Sequence, residues 1–105
     1  MSEHDPILLK KIRVTGVVQG VGFRAFVYQL AHSHDLAGWV CNTSAGVDIE
    51  VEGRPQALVQ FLRDLEAEAP PLARIERVTA IDHSLNGYEQ FEMRRSVAER
   101  QQEVL

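Results

Sequence analysis

The stretch Ile12-Arg-Val-Thr-Gly-Val-Val-Gln-Gly-Val-Gly-Phe-Arg-Ala-Phe-Val-Tyr-Gln-Leu-Ala-His-Ser-His34 changes its hydrophobic period halfway along. Apolar residues alternate with polar ones from Ile12 to Gly16, which predicts a strand with one buried face. From Phe23 onward the apolar residues recur at intervals of three and four, which predicts a helix of about three turns. Three glycines separate the two patterns, so the segment predicts a strand, a tight loop and a helix.

The chain on the C-terminal side of this segment predicts a hairpin, a second helix and two more strands. Strands are expected at 36–42 and 47–52, followed by a helix that opens at Pro55 and stops before Pro70. Further strands are expected at 75–82 and 88–94, the last with Phe91 and Met93 facing inward. The order β-α-β-β-α-β, with a final short strand, predicts an α+β, ferredoxin-like (split βαβ) fold, with an antiparallel sheet and both helices on one face.

Length and composition indicate one soluble domain. The 105 residues suffice for a single domain, which we expect at 8–95, between a disordered N-terminal segment at 1–7 and a tail or linker at 96–105. A net charge of −4 argues against a nucleic-acid partner. No apolar run approaches the roughly 20 residues that span a membrane. The polar, acidic N-terminus is unlike a signal peptide, so the expected location is the cytoplasm.

The glycine-bearing loop between the first strand and the first helix is the candidate for chemistry. Glycines allow backbone conformations in which successive N–H groups point at one spot and form an anion-binding nest. The following helix adds unpaired N–H groups and the positive end of its dipole. A guanidinium in the first helical turn opposes that dipole unless an anion lies between them. The predicted phosphate-binding residues are Gln19, Gly20, Val21, Gly22, Phe23 and Arg24.

Two better-known phosphate loops do not fit this segment. Gly20 to Ala25 matches a G-x-G-x-x-A dinucleotide fingerprint, but the second strand ends in Asn42 where that fold needs an acidic residue. A Gly-Lys-Ser/Thr triplet is missing as well, which excludes a Walker A loop. The spacing alone leaves a simpler alternative open, in which the glycines make a tight turn and Arg24 is a solvated helix residue.

Asn42 ends the second predicted strand and is the second candidate for chemistry. If the first two strands are parallel neighbours, their crossover puts the loop and Asn42 near the same edge of the sheet. A carboxamide both donates and accepts hydrogen bonds, so it can orient a nucleophilic water. The alternative is a turn-forming Asn at a hairpin. Trp39 and Cys41 are assigned to core packing, and Glu50 and Glu52 to a solvated face.

The segments Gly16–Arg24 and Gly38–Asn42 resemble the two signature segments of acylphosphatases, and the resemblance extends over about residues 8–94. It implies a ferredoxin-like fold in which Arg24 binds the phosphate of a small acyl phosphate and Asn42 positions the attacking water. It also implies that neither a metal nor another cofactor takes part. The chain departs from free-standing members at Cys41, where they commonly carry a basic residue.

The stretches 42–53 and 69–75 are more similar to the N-terminal domain of the hydrogenase-maturation carbamoyltransferases (HypF). That resemblance implies hydrolysis of carbamoyl phosphate within a carbamoyltransferase, with further domains of a longer chain as partners. The alternatives are a free-standing acylphosphatase, or a phosphate-ligand binding or docking module with little activity of its own. A nucleic-acid-binding ferredoxin-like domain is disfavoured, because Trp39 is the only aromatic residue on the central predicted strands.

Overall fold

The computed structural model describes residues 6–96, so residues 1–5 of the predicted N-terminal segment and residues 97–105 of the predicted tail lie outside the described residues. Within the described range the elements follow the predicted order. They are β1 (Leu8–Val17), α1 (Phe23–Ser33), β2 (Ala37–Thr43), β3 (Gly46–Gly53), α2 (Pro55–Ala67), β4 (Arg74–His83) and β5 (Phe91–Met93).

The described strands form one sheet in the order β4-β1-β3-β2-β5. The pairs β4–β1, β1–β3 and β3–β2 are antiparallel, whereas β5 runs parallel to β2. This confirms the predicted ferredoxin-like plan and adds a parallel edge strand to it. One premise was wrong: β1 and β2 are not neighbours, because the whole of β3 lies between them.

The two helices share a core with one face of the sheet. Residues of β1, β3, both helices and β5 form a single buried cluster that includes Val14, Val27, Val47, Phe61 and Phe91. Amphipathic patterning explains this layout, because each helix has one apolar stripe to remove from water. Phe91 is buried as predicted, but Met93 is 46% exposed, so the prediction that it is buried was wrong.

The opposite face of the sheet carries a polar network instead of helices. Glu50 and Glu52 are only 8% and 6% exposed, so the prediction that they are solvated was wrong. Glu52 accepts hydrogen bonds from the backbone N–H groups of residues 86–88. Glu50 accepts one from the Tyr88 hydroxyl at 2.5 Å. These carboxylates therefore fasten the segment that precedes β5 across the sheet.

Trp39 belongs to this network and not to the core. It pairs in register with Glu50, its indole Nε1 donates to the Tyr88 hydroxyl at 2.9 Å, and the guanidinium of Arg94 lies 4.8 Å from its ring centre. The core assignment of Trp39 was therefore wrong, because the alternation of β2 points its indole away from the helices. Cys41 faces the same side and is buried, with Sγ 3.2 Å from the carbonyl oxygen of Arg95.

Candidate active site

The loop that joins β1 to α1 has the backbone geometry of an anion-binding nest. Gly20 (φ 74°) and Gly22 (φ 80°) are left-handed, whereas Val21 between them is not. Alternation of this kind turns successive N–H groups toward one side. A Cβ atom added to either glycine would meet nothing within 4 Å. Glycine is thus needed here for its backbone conformation, and the space beside the loop stays open.

The N–H groups of this loop are available to a ligand. Those of residues 19–23 donate to no described residue. Gly22 is the N-cap of α1, no side chain caps the helix, and its first turn contains no acidic residue. Free N–H groups and the positive end of the helix dipole therefore coincide at one place, an arrangement that favours a bound anion.

A depression of about 200 Å³ lies beside this helix terminus. Pockets for drug-sized ligands run from about 300 to 1,000 Å³, so this one fits a smaller molecule. Arg24 reaches it from the first turn of α1, and Asn42 from the penultimate residue of β2. The residues that line it are Val18, Gly20, Gly22, Phe23, Arg24, Ala25, Asn42 and Met93.

The structure thus brings together Arg24, Asn42 and three of the predicted loop residues around one depression. The other two predicted loop residues do not line it. Val21 packs against the core cluster. The Gln19 side chain turns toward the β2–β3 turn, where it donates hydrogen bonds to two carbonyl groups.

Asn42 reaches the depression although a strand separates β1 from β2. Val47 of β3 pairs in register with Val14 on one side and with Asn42 on the other, so the three residues form one row across the sheet. Residues directly opposite in antiparallel strands share a face. Since Val14 and Val47 are fully buried under the helices, Asn42 also faces the helix side.

The amide oxygen of Asn42 is a buried acceptor. Among the described residues, Asn42 Oδ1 is the one buried side-chain nitrogen or oxygen atom with no hydrogen-bond partner. Leaving such an atom unsatisfied costs about 1–3 kcal/mol, so its position calls for an explanation outside the stability of the fold. An O–H donor in the adjacent depression would satisfy it, and water is the smallest such donor.

The guanidinium of Arg24 is oriented by the segment that follows β5. Its Nη1 donates to the carbonyl oxygen of Arg94 at 3.0 Å. Arg94 is held in turn, because its N–H donates to Val40 of β2 at 2.9 Å. A guanidinium carries its five donors in one plane, so this contact fixes the direction of that plane.

Sequence reasoning missed Met93 and Arg94 as parts of this site. The pattern of residues 88–94 indicated a strand, but gave no sign of its partner. The parallel pairing of β5 with β2, with Val40 opposite Met93, puts both residues beside Asn42. The sequence did indicate that one more strand follows the ferredoxin-like unit. That strand could pair with either edge of the sheet, β4 or β2, and the local pattern does not decide between them.

Among residues 6–96, no group of three or more His, Cys, Asp or Glu side chains is placed to hold a metal ion. The two histidines near the end of α1 have other neighbours: His34 Nε2 lies 3.0 Å from Asp64 Oδ2, and the His32 ring contacts the Tyr28 ring at a tilt of 52°. None of the described helices is both long and apolar enough to cross a bilayer.

Comparison with known proteins agrees with this geometry. The acylphosphatase family model matches residues 10–93. This chain belongs to the acylphosphatase family. An acylphosphatase structure from Bacillus subtilis is 37% identical, with a TM-score of 0.79, over 83% of this chain and 98% of that one.

Much longer proteins, the carbamoyltransferases, also match this chain over a small part of their length. The carbamoyltransferase HypF2 of Cupriavidus necator is 59% identical over 68 residues, which are 65% of this chain and 8% of that protein. The crystal structure of full-length HypF in a phosphate- and nucleotide-bound form superposes with a TM-score of 0.87 at 31% identity, over 92% of this chain and 13% of that one. The chain therefore spans only about a tenth of the length of these carbamoyltransferases.

Proposed function

We propose that this domain hydrolyses small acyl phosphates. The loop N–H groups and Arg24 bind the phosphoryl group, and Asn42 holds the attacking water. The observation that carries the proposal is the shared depression, where a nest of free N–H groups, a guanidinium and an unpartnered amide oxygen meet.

The chemistry needs no strong base. An acyl phosphate is a mixed anhydride, so its carboxylate is already a good leaving group. Water attacks phosphorus, the bond between phosphorus and the bridging oxygen breaks, and the acyl group leaves as a carboxylate. The water proton goes to the phosphate formed. Donors fixed around the phosphoryl oxygens stabilise the charge that develops on them. Asn42 Oδ1 aligns the water by accepting a hydrogen bond from one of its O–H groups.

For the acyl group we propose carbamoyl, with carbamate as the first product. The support is the similarity to the carbamoyltransferases named above, together with the small volume of the depression. In that setting the domain works within a carbamoyltransferase of hydrogenase maturation and passes carbamate to further domains of a longer chain. We propose the cytoplasm as its location, because a chain with one cysteine forms no internal disulfide and so needs no oxidising compartment.

The first test is hydrolysis of carbamoyl phosphate and acetyl phosphate by the purified chain in water labelled with ¹⁸O. We expect phosphate release with the label in phosphate, because the attack is at phosphorus. Label in the acetate formed from acetyl phosphate would contradict the mechanism. Binding of inorganic phosphate without any turnover would instead support a docking module.

Substitution of Arg24 tests the site itself. Arg24→Ala should lower kcat/KM by roughly 100-fold or more, since removal of one preorganised donor typically costs 10²–10³ in rate. Arg63→Ala, an exposed arginine on α2, is the matched control and should keep wild-type activity. Circular dichroism checks that both variants are folded. Equal activity of the two variants would refute the role of Arg24.

A further inference from the structure

Gln19 sits in the phosphate-binding loop, but its side chain does not face the depression. Its Nε2 donates to the carbonyl oxygen of Thr43 at 2.6 Å and to that of Gly46 at 2.8 Å. The two acceptors flank the two-residue turn that joins β2 to β3: Thr43 ends β2, Gly46 begins β3, and they pair with each other. The side chain therefore uses both of its N–H hydrogens to join the loop to this turn.

This contact links the two halves of the candidate site. One half is the loop with its free N–H groups, and the other is Asn42, the residue directly before Thr43. Among the described residues, Gln19 provides the only side-chain hydrogen bonds between residues 18–22 and the β2–β3 turn. Because β3 separates β1 from β2, neighbouring-strand hydrogen bonds do not join the two halves directly.

Val21 packs against the core cluster, but few hydrogen bonds hold the loop. Gly20 and Gly22 lose more conformational freedom on ordering than any other residue type would, and the loop N–H groups make no bond to a described residue. The turn is held more firmly, because a Cβ atom on Gly46 would lie 2.2 Å from the carbonyl oxygen of Val14, which shows how closely it packs on β1. The firm turn thus serves as the anchor for the loop.

We infer that Gln19 is a positioning residue that sets the distance between the phosphate-binding loop and Asn42, and so aligns the water with the bound phosphoryl group. This inference rests on the proposed hydrolysis. It assigns the side chain of Gln19 no contact with substrate: the side chain acts through Asn42 and the loop backbone. Reaction rates depend steeply on such alignment, and a misplacement of about 1 Å can cost roughly 100-fold.

Two substitutions separate the effect of losing the N–H donors of Gln19 from the effects of changing the charge or the size of the side chain. Gln19→Met keeps the length and removes both donors without adding charge. Gln19→Glu keeps the shape, but a carboxylate accepts hydrogen bonds and would face two carbonyl oxygens. Gln60→Glu, at an exposed position on α2, is the control for the added negative charge. We expect both Gln19 variants to lower kcat by about 10- to 100-fold, and Gln60→Glu to leave it unchanged.

A double-mutant cycle with Asn42→Ala distinguishes positioning from a general loss of stability. If Gln19 acts through Asn42, Gln19→Met should lower kcat strongly in the wild-type background and less than about twofold in the Asn42→Ala background. The same fold loss in both backgrounds, or no loss in either, would overturn the inference. Thermal melting of each variant checks that it is folded.

The side-chain amide signals of Asn42 in a ¹⁵N NMR spectrum give a readout that does not depend on turnover. Gln19→Met should shift them, whereas Gln60→Glu should not. Wild-type protein that fails to hydrolyse any acyl phosphate would refute the proposed function. Unshifted Asn42 signals would refute the coupling between Gln19 and Asn42, whether or not the domain is active.

Discussion

Asn42 combines an unfavourable contribution to stability with a favourable position for chemistry. Its Oδ1 is buried without a described partner, beside the depression that Arg24 also lines. Functional sites often depart from the rules that stabilise the rest of a fold. The two properties of Asn42 can therefore be separated by experiment.

We predict that Asn42→Ala lowers kcat by roughly 10²–10³ if it removes a group that acts in the transition state, yet leaves the free energy of unfolding unchanged or higher by about 1 kcal/mol. Turnover assays and urea denaturation measure the two quantities. Val40→Ala, two residues earlier on the same strand and fully buried, is the control and should cost about 2–4 kcal/mol. A loss of stability at Asn42 as large as that at Val40 would contradict the prediction.

At the scale of elements, the N-terminus of helix α1 is unfavourable for helix stability unless an anion binds there. It has no side-chain cap, no acidic residue in its first turn, and a guanidinium facing the positive end of its dipole. Helix α2 likewise has no side-chain cap and no acidic residue in its first turn, but it begins with Pro55, which has no N–H group to leave unpaired. The left-handed glycines before α1, and loop N–H groups that donate to no described residue, are the features that support the proposed anion site there.

We predict that inorganic phosphate raises the melting temperature, because a ligand that binds only the native state stabilises it. At 100 times the dissociation constant the gain is about 2.7 kcal/mol. Differential scanning calorimetry at constant ionic strength, with chloride in place of phosphate, measures the shift. Arg24→Ala should lose most of it, and Arg63→Ala should retain it. Equal stabilisation by chloride would mean that general screening causes the effect.

At the scale of the whole molecule, the polar network on the helix-free face of the sheet holds residues 86–88, which precede β5, in place. Burial first, and then the hydrogen bond to Glu50, raise the pKa of Tyr88. The native state therefore binds the phenolic proton more tightly than the unfolded chain does. This contribution to stability is complete below the unfolded pKa of about 10, and is lost as pH rises through the higher native value.

We therefore predict that stability falls from about pH 10 upward, and that Tyr88→Phe flattens this fall. The variant should also be less stable at pH 8, by about 1–3 kcal/mol, since Trp39 and Glu50 lose their hydrogen-bond partner. Urea denaturation of both proteins between pH 8 and 11 measures both effects. Curves that remain parallel over this range would show that Tyr88 does not carry the dependence.

Local patterns in the sequence predicted most of the fold. Alternation along β1 and β3, the helical stripes and the glycine turns are properties of neighbouring residues, and they were sufficient for the element order. Arg24 was a candidate because a guanidinium opposes the dipole at a helix N-terminus. Spacing explained Asn42 equally well as a turn residue, and its proposed role came from the family resemblance. Their convergence on one depression is a tertiary fact that the structure supplies.

Contacts between distant residues were not predictable in the same way. Glu50 and Glu52 alternate as solvent-facing strand residues do, and only the return of residues 86–88 across the sheet buries them. Trp39 looked like a core residue for the converse reason, since its type suggests burial but its face is the one without helices. The place of β5, and with it Arg94, depends on pairing across some fifty residues, which no local pattern encodes.

The strand order has a consequence for how this site can change. Because β3 lies between the strands that lead to the guanidinium and the carboxamide, their backbones stand two interstrand spacings apart, about 9.6 Å. Main-chain hydrogen bonding through β3 sets this spacing between the two strands, whereas the loop beyond β1 lies outside the strand ladder and is positioned by Gln19. Substitutions in the lining of the depression can thus change its walls, while the two strands that border it keep the same separation.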